Sequence, residues 1–368
     1  MNATRRSGTL RLRGRGLWLV ASLELKQRLR SRAWVVALAV WMIVLLGVGA
    51  LGLAPVLLTA QYDGVEQVSS MIFSVQIVFV MFAMLLVVPA LSAGAINGDR
   101  SAGTLATLQA SLLSPAEIVL GKLLAGWSTG LAFLVLALPS LVPIAVLGHV
   151  DPLYMLRLLA MIVVLTACVT ALGLGLSALT RRTLSSVVLA YVLVIGVTVV
   201  LPFAWGVSGL VITDQKDVTV YSTEYPADWD GESEEPLTCE SRTETRQVSR
   251  LDLTMPLMWG NPVVLLAETA PTVSADRWRT GEDDGLDLLS TLKFGMRTAA
   301  SPLAPSNFNE CWIDDQGYPA HLDDGSDGAP LWPMGLGLWA IVGVAAVTLA
   351  IRRVAVPVRH LGRGERIA

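Results

Sequence analysis

Six times between residues 33 and 351 the chain runs through twenty or more predominantly apolar residues. A helix rising 1.5 Å per residue needs about 20 residues to cross the ~30 Å hydrocarbon core of a bilayer. In that solvent a segment must satisfy its own backbone polar groups, so each run is constrained to be a helix. The runs fall at about 33–58, 68–93, 122–147, 153–179, 184–211 and 331–351. The fold class they imply is an all-α polytopic membrane protein with six transmembrane helices.

Charge is scarce, at 15% of residues, and it is segregated. Residues 1–32 hold nine Arg or Lys and one acid, Glu24, whereas residues 214–327 hold 23 acids and 8 bases. Lys and Arg near span ends mark the cytoplasmic side. The N-terminus, Arg100 and Lys122, Arg181 and Arg182, and the tail 352–368 fall on one side of an alternating six-span path. The turns at Asp63/Glu66 and His149/Asp151 fall on the other. The chain is therefore expected in the cell membrane as a multi-pass protein with both termini cytoplasmic. Its acidic domain, 212–330, is then extracytoplasmic and separates spans 1–5 (33–211) from span 6 (331–351). Arg157, near the outer end of span 4, either snorkels to the interface or faces the protein interior.

The basic region of 1–32 is too long for a cleaved signal, as is the first apolar run. Within it, 17–32 reads as an amphipathic interfacial helix. Trp18, Ala21, Leu25 and Leu29 recur at helical spacing against Glu24, Lys26, Arg28, Arg30 and Arg32, a pattern suited to the bilayer surface. The flank of the first span gives the same pattern. Small residues at Gly126 and Gly130 allow close helix approach, and Pro139, Pro143 and Pro202 are expected to kink spans 3 and 5.

Several chemistries are excluded. The three histidines, His149, His321 and His360, form no metal-binding motif. Gly121-Lys122 resembles the end of a phosphate loop, but Ala116 stands where that loop needs glycine and Leu123 where it needs a hydroxyl. No cofactor and no catalytic residue is assigned to this chain, and no nucleic-acid partner is expected. Few ionisable groups lie in the spans, against the needs of an ion-coupled transporter. Cys168 reads as a packing residue. Cys239 and Cys311 form a disulfide if their segment is extracytoplasmic, or remain free thiols.

The polar segment 97–122, between spans 2 and 3, is the most informative. A helix is expected to start near Ser101, with Asp99 at its positive end. Leu105, Leu108 and Leu112 recur at i, i+3 and i+7, which gives an apolar stripe able to sit in a partner's groove or to shield the membrane boundary. Pro115 restricts Ser114 and ends that helix. Gly121-Lys122 opens span 3.

Asp99-Arg100, Gly103-Thr104-Leu105, Leu112-Leu113, Pro115 and Gly121-Lys122, with Asn261-Pro262-Val263 before the last span, resemble the pattern of ABC-2 type transporter permeases. The resemblance implies a cytoplasmic coupling helix at 103–112. Asp99, Arg100, Gly103, Thr104, Leu105, Leu108 and Leu112 would then dock a motor subunit. It further implies separate ABC ATP-binding subunits, which would hold ATP and Mg, and a second permease as homodimer or heterodimer. The function implied is the translocation path of an exporter. Two other functions remain open: an ABC-type complex that transmits force to an envelope partner without transport, and a membrane-anchored receptor or enzyme acting through its outer domain.

Overall fold

A computed structural model describes residues 12–59, 65–110, 113–224, 238–272, 287–301, 307–310 and 329–355. In chain order its elements are α1 (Gly14–Leu29), α2 (Arg32–Thr59), α3 (Val65–Ser92), α4 (Ala95–Ser101), α5 (Thr104–Ala110), α6 (Pro115–Leu147), α7 (Pro152–Leu179) and α8 (Thr183–Ile195). A π-helical turn, Gly196–Val200, leads to α9 (Leu201–Val211), β1 (Thr213–Glu224) and β2 (Thr238–Ser249). A 3-10 turn (Leu251–Leu257), α10 (Pro262–Ala267), α11 (Leu288–Ala300), β3 (Asn307–Glu310) and α12 (Trp332–Val354) complete it. Two compact units result: Met1–Val197 with Leu336–Ala368, and Thr198–Gly335.

Among the described residues, six helical stretches are long and apolar enough to cross a membrane: Arg32–Ala54, Val65–Ser101, Pro115–Leu147, Pro152–Leu179, Thr183–Val211 and Trp332–Val354. The six-span all-α framework read from the sequence is thus present. Span 3 differs at its start, because its helix begins at Pro115 rather than near Lys122. Ser114 Oγ accepts from Glu117 N at 3.2 Å, and Glu117 Oε2 accepts from Ser114 N at 2.8 Å. This reciprocal cap, with proline in the first turn where its missing N–H costs nothing, fixes the start. At 33 residues α6 is about 50 Å long, ~20 Å more than a hydrocarbon core requires.

In the first unit the spans alternate between two ends. One end gathers Ile96, Leu105, Ile118, Val119, Leu174, Ala178, Ala350 and Val354 into a core cluster. At the other, His149 Nδ1 lies 3.2 Å from Glu66 Oε2, and the backbone at Gly148 closes on that of Ser70. Between them, Gly126 and Gly130 let the methyls of Thr170 and Thr166 on α7 seat against α6. Gln76 Nε2 donates to the Leu45 carbonyl (2.8 Å) and Ser140 Oγ (2.6 Å), which ties α3 to α2 and α6. Pro139 and Pro143 sit inside an uninterrupted α6. Pro202 falls in the first turn of α9, just past the π-helical turn. Arg157 is exposed on α7 rather than turned into the bundle.

The second unit adds a sheet of order β2-β1-β3, antiparallel from Thr213↔Ser249 to Glu224↔Thr238 and parallel at Thr219↔Asn307. Val218, Val220 and Val248 form its buried patch, with Phe308 against them. Met255, Met258, Val264, Met296 and Leu331 build a separate core with Trp205 and Trp259. There Glu268 accepts from both Nε and Nη2 of Arg297 at 3.1 Å. Asn261 caps α10, accepting from Val263 N at 2.8 Å. The side chain of Cys239, all of Cys311, and Leu112 lie outside the described residues.

Candidate functional site

The segment between α3 and α6 folds as two short helices rather than one. Gly103 separates them with φ +73°, a left-handed conformation that disfavours any side chain. Asp99 and Arg100 therefore lie inside α4, not ahead of a helix starting near Ser101. Thr104 Oγ1 donates across the turn to Asp99 Oδ1 (3.2 Å) and to the Asp99 carbonyl (3.3 Å).

The start of α4 is held by the α7–α8 corner. Ser177 Oγ accepts from Ile96 N (3.0 Å) and Asn97 N (3.1 Å), two donors with no partner inside so short a helix. Asn97 Nδ2 donates to Thr180 Oγ1 at 2.8 Å and Ser186 Oγ at 3.3 Å. Arg100 Nη1 reaches the Thr180 carbonyl at 3.5 Å.

Leu105 and Leu108 face their own bundle. Leu105 is 2% exposed and, with Leu108, packs on Ile118, Val119, Leu174, Ala178, Ala350 and Val354. Gln109 Nε2 donates to the Val354 carbonyl at 2.9 Å, which ties α5 to the end of α12. The ends of three spans of this chain pack against these two leucines, Leu108 being half-buried. Among the described side chains of the hairpin, Ser101, Ala102, Gly103 and Thr104 are exposed.

Lys122, well inside α6, is the hub. Its side chain is 1% exposed, with Nζ 2.5 Å from Asp99 Oδ2 of α4 and hydrogen-bonded to Glu24 Oε1 of α1. Gly121 makes room beside it: a Cβ there would sit 2.6 Å from Val20 Cβ and 3.0 Å from the Leu17 carbonyl. One turn earlier, Glu117 accepts from Arg13 N at 2.7 Å as well as from Ser114 N, so one carboxylate caps both α1 and α6. Farther along, Arg28 Nη1 donates to Thr129 Oγ1 at 3.0 Å. Burial lowers the Arg28 pKa from its usual value, and the nearby Glu24 opposes that shift.

These contacts run in order, Arg13 to Glu117 and Arg28 to Thr129, so α1 lies parallel to the first half of α6. It buries Gly16, Val20 and Ala21. Of the predicted stripe only Ala21 is buried; Leu25 is half-buried, and Trp18 and Leu29 are exposed. Close approach to α6 needs small residues, and that need outweighs the burial of large ones. Sequence inspection passed over Glu117, although Ser114-Pro-Ala-Glu117 is a legible capping signal. It also passed over Asn97, which carries no local signal.

A family model described as ABC-2 family transporter protein matches residues 18–258. The chain belongs to the ABC-2 transporter family. The match begins in α1 and spans every residue of the Lys122 hub except those before Trp18. No curated protein matches the chain. An ABC-2 permease is the membrane component of an ABC transporter rather than its ATPase, and permeases of this family generally work with ATP-binding subunits.

Proposed function

We propose that this ABC-2 permease forms the translocation path of an exporter in the cell membrane, driven by separate ATP-binding subunits and paired with a second permease. Both termini and the α4–α5 hairpin face the cytoplasm, in line with the Lys and Arg at those span ends. ATP and Mg belong to the ATP-binding subunits. One observation carries this reading. Asp99 of α4 and Glu24 of α1 converge on buried Lys122 of α6, while residues 101–104 of the same hairpin stay exposed. A push on the exposed turn reaches α6 through Asp99 and α1 through Glu24. The ends of α7 and α12 receive it through Leu105 and Gln109.

The test is Ala102→Trp, which adds bulk to the exposed turn and leaves the hub untouched. In proteoliposomes holding permease and ATP-binding subunit, permease-stimulated ATPase should fall at least fivefold with an unchanged melting temperature. Wild-type stimulation and wild-type co-purification of the subunit would remove the hairpin as the docking surface.

The separate compact unit Thr198–Gly335 favours a second reading, in which the complex drives a partner beyond the membrane without moving cargo. ATP-dependent efflux from the same proteoliposomes would decide against it.

A further inference from the structure

On the face of α1 turned away from α6, Leu19, Ser22, Leu23, Lys26, Gln27 and Arg30 line a shallow cleft of about 360 Å³. An ammonium, a guanidinium and an amide thus converge on it as donors; the Ser22 hydroxyl donates to the Leu19 carbonyl at 3.1 Å and is left to accept, and among the described residues no carboxylate lines the cleft. Glu24, the acid of α1, is engaged on the other side with Lys122.

The depth of this cleft follows from α6. Counting about 20 residues back from Leu147, the length that crosses the hydrocarbon, places the boundary near residue 128. Arg28 hydrogen-bonds to Thr129 at that level, and α2 begins at Arg32. Lys26 and Arg30 therefore stand among the lipid headgroups, above the exposed Val35, Val36, Val40 and Ile43 of α2. We infer that this cleft binds the phosphate headgroup of an anionic phospholipid, with Lys26, Gln27 and Arg30 on the phosphate and the Ser22 hydroxyl oxygen accepting from the polar substituent beyond it. Acyl chains then lie along the apolar surface of α2, an arrangement a free phosphate ion has no use for.

The full chain, in nanodiscs of phosphatidylcholine with phosphatidylglycerol, is released for native mass spectrometry, and the lipids it retains are counted. Wild type should keep phosphatidylglycerol in preference to phosphatidylcholine. Lys26→Gln/Arg30→Gln should weaken that preference about 30-fold, from the loss of two surface cations. Both side chains are exposed, so the variant should melt as wild type does. Equal retention by variant and wild type would overturn the proposal. Complete displacement by millimolar inorganic phosphate would assign the cleft to a free anion instead. Unchanged lipid with lost capture of an ATP-binding subunit would assign it to a protein.

Discussion

Lys122 Nζ and Asp99 Oδ2 lie 2.5 Å apart, and the same ammonium also holds Glu24. The lysine is almost fully buried, whereas the carboxylates retain 25% and 17% exposure. Removing the cation leaves two like charges facing each other near a low-dielectric boundary. Lys122→Met keeps most of the packing volume and should destabilise the α1–α4–α6 junction by about 2 kcal/mol. That is below the loss for a fully buried pair, because water reaches the acids. Asp99→Asn and Glu24→Gln should each cost less than Lys122→Met, since the second acid remains to satisfy the lysine. Hydrogen exchange across α1 and α4 in the three variants checks the order, and faster exchange in either acid variant than in Lys122→Met would refute it.

Glu117 joins two helix starts through one carboxylate, at 2.7 Å from Arg13 N and 2.8 Å from Ser114 N. Glu117→Ala strands both amides and should cost about 2 kcal/mol. Glu117→Gln keeps one acceptor oxygen and should cost about half as much. Amide exchange should rise at Arg13 and Ser114 together, because a single group serves both; a rise at Ser114 alone would show that Arg13 has another partner.

The spans were legible because lipid imposes one solution on any long apolar run, whatever lies around it. The hairpin was legible as a helical period but not in direction. The spacing of Leu105 and Leu108 is the same whether they face a partner or their own bundle, and what packs against them comes from 118–119, 174–178 and 350–354. For the same reason Leu108→Asp would test core packing rather than docking. The sheet was hidden by composition. Among the described residues its buried patch is Val218, Val220 and Val248, set in strands that otherwise read as charged and polar.

Charge on and beside that sheet should make it acid-sensitive. Hydrogen bonds from Arg246 and Arg242 hold the Glu244 carboxyl below its usual range; Arg246 does the same for Glu310, and Arg250 for Asp252. A carboxyl with a depressed native pKa stabilises the fold above its unfolded value, near 4. That contribution fades as pH falls through the lower native value. Protection of β1 and β2, measured as exchange corrected for intrinsic rate, should be flat from about pH 8 to pH 5 and drop below about pH 4. Arg246→Ala should flatten the drop, and an unchanged acid profile in that variant would place the sensitivity elsewhere.

Gly103 separates backbone conformation from packing. Its φ of +73° disfavours a side chain, yet a Cβ there would meet nothing within 4 Å. Gly103→Val forces a β-branched residue into the left-handed region at a cost of about 2 kcal/mol, which the exposed turn relieves by rearranging. The bond from Thr104 to Asp99 is lost with the turn, and Asp99 is one of the two acids on Lys122. Gly103→Asn introduces a residue that tolerates the same φ. Under the proposed function, Gly103→Val should lower permease-stimulated ATPase about tenfold while the span bundle melts within ~2 °C of wild type. Gly103→Asn should stay within about twofold of wild type, which shows that the conformation, and not the absence of a side chain, is what the turn requires. Equal loss in both variants would mean that a partner needs the bare glycine surface.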